Sequence, residues 1–454
     1  MGYLVKQPLS GLLFLMAAIM ISFHSSATAI WKTEGYGYLF DLTNHMKPLV
    51  YDISDNYCFL NHFLTNEAQR DGIAIDKRTK QLDFDKLFPL NVTKLNELPK
   101  ACTSSEINSF HSNSYVFNSR QVLKVVLDSF SYHYAFTKEK EINWNTLKSH
   151  WLKRVNNNTT PEELQQIIDE FLEHMGDGHA MLIDSSLNRL IHHSPRKSAS
   201  EKRLQEYLAK NSEFSDISQV YRYIYGRWIR NIESYFHTNK PAKYLADNFL
   251  IAKLKGGASY FRIESFDEHE TQQVMQKVTQ HFNRSKGVII DLRDSSGGSD
   301  LVALKMMSYL IAKPLRIGAK SFKTPTGMSE KKDIFVSPAN VKPFVGKIIV
   351  ITSHLTPSAA ELFLIALKAR DNVTFIGENS YGALSDALVK ALPNGWGITL
   401  SNELYTDIEG QSYEFVGVPV EHVFEFPNIK DIESNKDSAL EHAIKLLGEQ
   451  PNRD

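Results

Sequence analysis

Hydrophobic and polar positions alternate along the chain in two textures. Residues 30–110 set short apolar runs between turn residues (GYGYLFDL, PLVYDIS, IAIDKRTKQLDF), which predicts a small β-rich domain. Ser114–Phe136 and Trp144–Val155 space leucines and aromatics three to four apart and predict helices. Thr160-Pro161-Glu162-Glu163 opens a further helix with cap and proline in order. Its apolar face is Leu164, Ile167, Ile168, Phe171 and Leu172, and it ends near Gly176. Ser185–Lys240 is charged and helical in pattern, soft at His193–Ser200.

From Asn248 the pattern becomes α/β. Ala258–Ile263 predicts a strand, Glu268–Phe282 a helix, Gly287–Leu292 a buried strand and Leu301–Ala312 a helix. Lys347–Ser353 and Val373–Ile376 predict further strands, on either side of a helix. Trp396–Tyr405 and Ser412–Val416 predict a hairpin, and Ser438–Leu447 a closing helix. Strands alternating with helices imply a parallel sheet covered on both faces.

The centre of this half is Lys347–Arg370 (KIIVITSHLTPSAAELFLIALKAR). Thr356-Pro357 reads as an N-cap followed by proline at the first helical position. That places Ser358 in the first turn of a helix leaving a buried strand. Unpaired backbone N–H groups there meet developing negative charge, which suits a serine nucleophile, although the same residues also make an ordinary helix start.

The composition narrows the function. Apolar residues make up 42% of 454, and 51 Lys+Arg balance 52 Asp+Glu, so no basic excess points to nucleic acid. Lys6, the apolar run Leu12–Phe23 and Ala27-Thr28-Ala29 read as a secretory signal cut after Ala29. The run is short for a membrane span, so no membrane attachment is expected after cleavage; an uncleaved N-terminal anchor is the alternative. The two cysteines, Cys58 and Cys102, favour one disulfide in an exported chain. No Cys/His spacing suggests zinc, and His192-His193 and His174/His179 do not supply a ligand set. No metal or cofactor is expected.

Two further segments carry candidate chemistry. Gly178-His179-Ala180 lies between a helix end and a short apolar run, which fixes an imidazole at an element boundary. Asp294–Asp300 (DSSGGSD) puts Gly297 and Gly298 in a turn between strand and helix, without a phosphate-loop or dinucleotide signature. Ligands of open α/β sheets collect at the carboxyl ends of strands, so this turn and Ser358 should share one rim. An amide of that turn and the amide of Ala359 would then form an oxyanion hole. Asp291 and Arg293 read as a structural charge pair, and Lys390 as a solvated strand residue.

These segments resemble the C-terminal processing (tail-specific) serine peptidases. DLRDSSGGSD resembles their Asp-Leu-Arg-x-Asn-x-Gly-Gly turn, and TPSAAELFLIALKARDNVTFIGENSYGALSDAL their nucleophile helix and following glycine turn. YEFVGVPVE resembles their closing Gly-Val-x-Pro segment, and DGHAMLID the histidine motif of the tricorn-core branch. The resemblance spans roughly residues 114–184 and 248–428. It implies a ClpP/crotonase-like α/β catalytic domain, with Ser358 as nucleophile, Ala359 with Gly297 or Gly298 as oxyanion donors, and no cofactor. Where the lysine-dependent branch has its base, this chain has Ala383, so the resemblance implies a histidine base, His179. Glu414 matches the branch's distal glutamate, Gly178 replaces the serine before the histidine, and Ser385 is a candidate supporting hydroxyl. A peptide-binding PDZ-type module is not evident.

The expected organisation is a signal peptide (1–29), a small β-rich domain (30–110), a helical domain with His179 (111–184), a helical insertion (185–247) and an α/β peptidase domain with Ser358 (248–454). The expected function is an exported serine endopeptidase, periplasmic or secreted, acting on a peptide or protein substrate. A catalytically silent relative that binds peptides is the alternative. A crotonase-like acyl-CoA enzyme is a third reading, disfavoured by export. Oligomeric state and cleavage preference are not readable from the sequence.

Overall fold

The computed structural model describes residues 29–83, 87–103, 115–184, 189–193, 198–239, 242–267 and 271–448. The signal-peptide expectation therefore lies outside the described residues. No helix among them is long and apolar enough to cross a membrane.

The α/β half is built on a seven-stranded sheet. Lys243–Ala246, Phe249–Lys253 and Ser259–Ile263 run antiparallel to one another. Val288–Asp291, Ile348–Thr352, Val373–Gly377 and His422–Val423 then join in parallel. Val288–Asp291 and Ile348–Thr352 are buried at every position, as continuous β-branched runs must be when both sheet faces are covered. One face packs on helices Thr271–Phe282, Asp300–Ser308 and Ala359–Lys368. The other packs on Ile217–Glu233 and Ser438–Leu446.

The expected small β-rich domain is also a seven-stranded sheet, within residues 30–95, and Cys58 and Cys102 form a disulfide. It is not separately packed. Trp31, Phe40, Val126, Phe130, Phe171, Leu182 and Leu400 belong to one apolar core, so residues 388–404 of the distant half complete it. The expected helices appear as Ser119–His133, Trp144–Leu152 and Pro161–Met175. In the third, Thr160 and Glu163 cap reciprocally, and Gly176 ends it at φ 52°. Within 185–247 lie helices Ala199–Lys210 and Ile217–Glu233.

Two expectations change. The hairpin from Trp396 to Val416 does not form: Trp396–Ser401 pairs with Ala387–Ala391 and Met181–Asp184, whereas Glu403–Asp407 joins Leu315–Thr324. The chain changes sheets at Asn402, and the 413–417 segment curls as a turn with Phe415 at φ 66°. Lys390 is not solvated. It is buried against Asp52, with Nζ 3.0 Å from the carboxylate, and ties the N-terminal sheet to the far half.

Candidate active site

The two parallel strands that end at Asp291 and Thr352 are cross-tied where they leave the sheet. Thr356 Oγ1 donates to the Leu292 carbonyl at 2.7 Å and accepts from the Ser353 amide. Ser353 Oγ donates to the Arg293 carbonyl at 2.5 Å. Arg293 in turn bridges Asp291 at 2.6 Å and Asp437 at 2.9 Å, as expected of a structural pair. Thr356 is thus occupied in the turn and does not cap the helix. The helix begins at Ala359, with Ser358 as its N-cap residue.

Ser358 adopts φ 59°, ψ −128°, a region ordinarily taken by glycine at the first central position of a type II′ turn. Holding a side chain there costs about 1–3 kcal/mol. The neighbours fix it: its N–H donates to the Ala383 carbonyl at 2.8 Å and to Glu361 Oε2 at 3.1 Å. Gly297 lies against it at φ 80°, and a Cβ on Gly297 would fall 2.9 Å from Ser358 Cβ.

The geometry separates the roles of the two glycines. The Gly297 carbonyl accepts from the Phe266 N–H at 2.7 Å, and the Phe266 carbonyl accepts from the Ser299 N–H at 2.9 Å. In a trans peptide N–H and C=O point oppositely. The Gly298 N–H therefore points away from Phe266. Gly298 and Ser358 line one cleft of about 250 Å³, together with Asp267, Asp300, Ser385 and Asp386. Neither the Gly298 nor the Ala359 amide has a hydrogen bond among the described residues.

His179 is held by the strand that follows it and by a residue that sequence reasoning passed over. Asp177 is fully buried; its Oδ1 accepts from the His179 N–H at 2.9 Å and from Ser401 Oγ at 2.7 Å, and its Oδ2 from the Ser401 N–H at 2.9 Å. Thr399 Oγ1 donates to the His179 carbonyl. Strand Met181–Asp184 then pairs antiparallel with Trp396–Ser401.

The segment 380–385 connects the two groups, pinned by a buried carboxylate from each. Glu361, on the Ser358 helix, accepts from Ser380 Oγ and from the Gly382 and Ala383 amides at 2.5–2.8 Å. Glu414 Oε2 accepts from the Leu384 and Ser385 amides at 2.8 and 3.0 Å. The donor atoms of Asp177, His179 and Glu414 lie within 4.8 Å of one another. Glu361 could have been found from the Ser358-x-x-Glu361 spacing of a capping pair. Asp177, two residues before the histidine inside a glycine turn, left no comparable signal.

The remaining expectations resolve locally. A Cβ on Gly178 would meet Ala383 Cβ at 2.6 Å and Tyr381 at 2.7 Å, so the packed turn leaves no room for a serine there. Ser385 lines the cleft, but its hydroxyl donates to the Asp386 carbonyl and accepts from the Glu403 amide. Its backbone N–H, rather than its hydroxyl, touches Glu414. Gly178→Ala is expected to destabilise by about 1–3 kcal/mol, and pairing it with Ala383→Gly should recover part of that loss. Chemical denaturation of the single and double variants measures it.

Buried acids dominate the electrostatics. Burial pushes Glu361 up to about 7. Burial, then the Asp386 carboxylate, pushes Asp300 up to about 7, and burial pushes Asp294 up to about 6. Burial, then the Asp177 and Glu361 carboxylates, holds Glu414 well above its ordinary value. Each binds its proton more tightly folded than unfolded, so stability falls as pH rises from the ordinary carboxylate range through about 6–7. Asp128 works oppositely: burial pushes it up, but Lys148 and Lys124 hold it below its ordinary value, so its contribution is lost in acid. The melting temperature is expected to be higher at pH 5 than at pH 8; an equal or reversed order by calorimetry would contradict this burial.

Residues 257–422 match the model of peptidase family S41. That stretch, rather than the whole chain, is similar to the peptidase family S41 core. A candidate peptidase from Parabacteroides merdae ATCC 43184 matches at a TM-score of 0.59 and 21% identity, over 73% of this chain and 97% of that one. Mature CPAF matches at a TM-score of 0.52 and 14% identity, over 73% of this chain and 96% of that one. At such identities the likeness is one of fold, the mixed α/β architecture with a ClpP/crotonase-like core. The matched stretch takes in Ser358, the Gly297-Gly298 turn and Glu414, and leaves His179 outside its limits.

Proposed function

We propose that this protein is an exported serine peptidase of the histidine-dependent, tricorn-like kind, with Ser358 as nucleophile and His179 as general base. The observation that carries the reading is Ser358 itself, held at φ 59° on a helix start beside the Gly298 and Ala359 amides, which carry no hydrogen bond among the described residues. That is the setting an acyl-transfer nucleophile needs: a hydroxyl presented to a cleft, with donors beside it for the tetrahedral oxyanion.

In this reading His179 takes the Ser358 proton as Oγ attacks a peptide carbonyl, then returns it to the leaving amine. The Gly298 and Ala359 N–H groups hold the oxyanion. Asp177 and the strand beside it fix the imidazole's position, and Glu414 stabilises the imidazolium. Glu361 keeps segment 380–385, and with it the two halves of the site, in register. Water then releases the acyl group from Ser358. The disulfide Cys58–Cys102 fits an oxidising compartment outside the cytoplasm. The test is reaction with a fluorophosphonate and peptide mapping by mass spectrometry, with the adduct expected on Ser358. A protein that stays unlabelled after prolonged exposure would return the reading to a silent, peptide-binding relative.

A further inference from the structure

We propose that Asp177, His179 and Glu414 form a binding site for a divalent transition-metal ion, Zn2+ above all, and that its occupancy shuts the serine site. Two oxygens and an imidazole nitrogen, drawn from segments more than 230 residues apart, already lie within 4.8 Å of one another. Around a tetrahedral ion with bonds of about 2.1 Å, ligands stand about 3.4 Å apart. The three donors therefore need only a modest side-chain adjustment to close on a metal.

A second observation points to a ligand. Glu414 is only 7% exposed, and among the described residues its Oε1 has no hydrogen-bond partner while Oε2 is taken by two backbone amides. An unsatisfied buried carboxylate oxygen is costly, and a cation between it and Asp177 removes that cost together with the repulsion of the two acids. No lysine or arginine pairs with either carboxylate among the described residues. An imidazole in the donor set selects Zn2+ and its neighbours over Mg2+ or Ca2+. Asp177 retains acceptor capacity, because among the described residues its Oδ2 accepts from the Ser401 N–H alone.

Binding stands on these contacts alone; inhibition rests on the proposed role of His179, since an imidazole nitrogen bound to a metal cannot accept a proton. The two are tested separately, on tag-free full mature chain. Ser358→Ala protein titrated with zinc chloride by calorimetry is expected to show one site of stoichiometry near unity, and Co2+ in its place to give visible d–d absorption. Adding Glu414→Gln or His179→Gln should weaken that site more than about tenfold, whereas His442→Gln, on the closing helix and outside the cluster, should leave it intact. An unchanged dissociation constant in both variants, or the absence of the Co2+ band, overturns the site. For the wild type, Zn2+ should slow fluorophosphonate labelling and a chelator restore it. Zinc bound at this site without slower labelling would overturn the inhibition and leave the site standing; a protein never labelled even without zinc would count against the peptidase reading instead.

Discussion

Ser358→Ala is expected to remove peptide hydrolysis by a factor of about 10⁴–10⁶ and to abolish fluorophosphonate labelling altogether. Ser385 shares the cleft but spends its hydroxyl on the Asp386 carbonyl and the Glu403 amide. His179→Ala should fall to a similar residual rate, because in the proposed mechanism serine and base act as one unit and their losses do not add. The double variant should then be no worse than either single one. Initial rates on a peptide library measure all three. Turnover surviving in the alanine variant at more than a trace would end the assignment of Ser358 as nucleophile. Loss at Ser358 with full activity in His179→Ala would keep the serine and move the base elsewhere.

Lys390→Met should be the most destabilising single substitution at the seam between the two halves, by about 3–5 kcal/mol. The lysine and Asp52 are both about 1% exposed, and burial pushes the acid's pKa up and the lysine's down. Nζ also donates to the Tyr36 and Gly37 carbonyls, while Asp52 accepts from Asn61 and the Ala391 amide. Removing the ammonium strands a carboxylate and two carbonyls in a dry interior. Adding Asp52→Asn should restore part of the loss, since it removes the uncompensated charge. Urea denaturation gives the difference. The fraction that remains folded should still label at Ser358 at the normal rate. A folded but unreactive Lys390→Met protein would instead make the lysine part of the chemistry.

Lys390 shows where sequence reading stops. A lysine within an alternating strand has the pattern of a solvent-facing residue, and only the docking of residues 36–61 from the far end of the chain buries it. The S41-like elements were legible because they are local. Buried β-branched runs, a glycine turn and a helix start each carry their own pattern, and Ser358, Gly297, Gly298 and Ala359 fall where those patterns place them. The Ser358 helix starts two residues later than the Thr356-Pro357 pattern predicts. Thr356-Pro357 has the chemistry of a cap, but the Leu292 carbonyl claims the threonine hydroxyl first. Asp177 and Glu361 were not singled out, because their importance lies in which distant amides they hold, and no periodicity encodes that. The Trp396–Val416 hairpin failed for a similar reason: two partners from elsewhere, Met181–Asp184 and Leu315–Thr324, divide its strands between separate sheets.

The strand behind His179 is hydrogen-bonded into the ladder that carries Trp396–Ser401, which bears on what can be cut away. A fragment beginning near residue 257 would keep the proposed nucleophile and its amides, yet it would open a raw sheet margin and discard the proposed base. On the proposed mechanism the smallest working unit therefore reaches back at least to the helix that precedes Gly176. Trimming the chain to its recognisable core should yield an insoluble remnant rather than a slower enzyme.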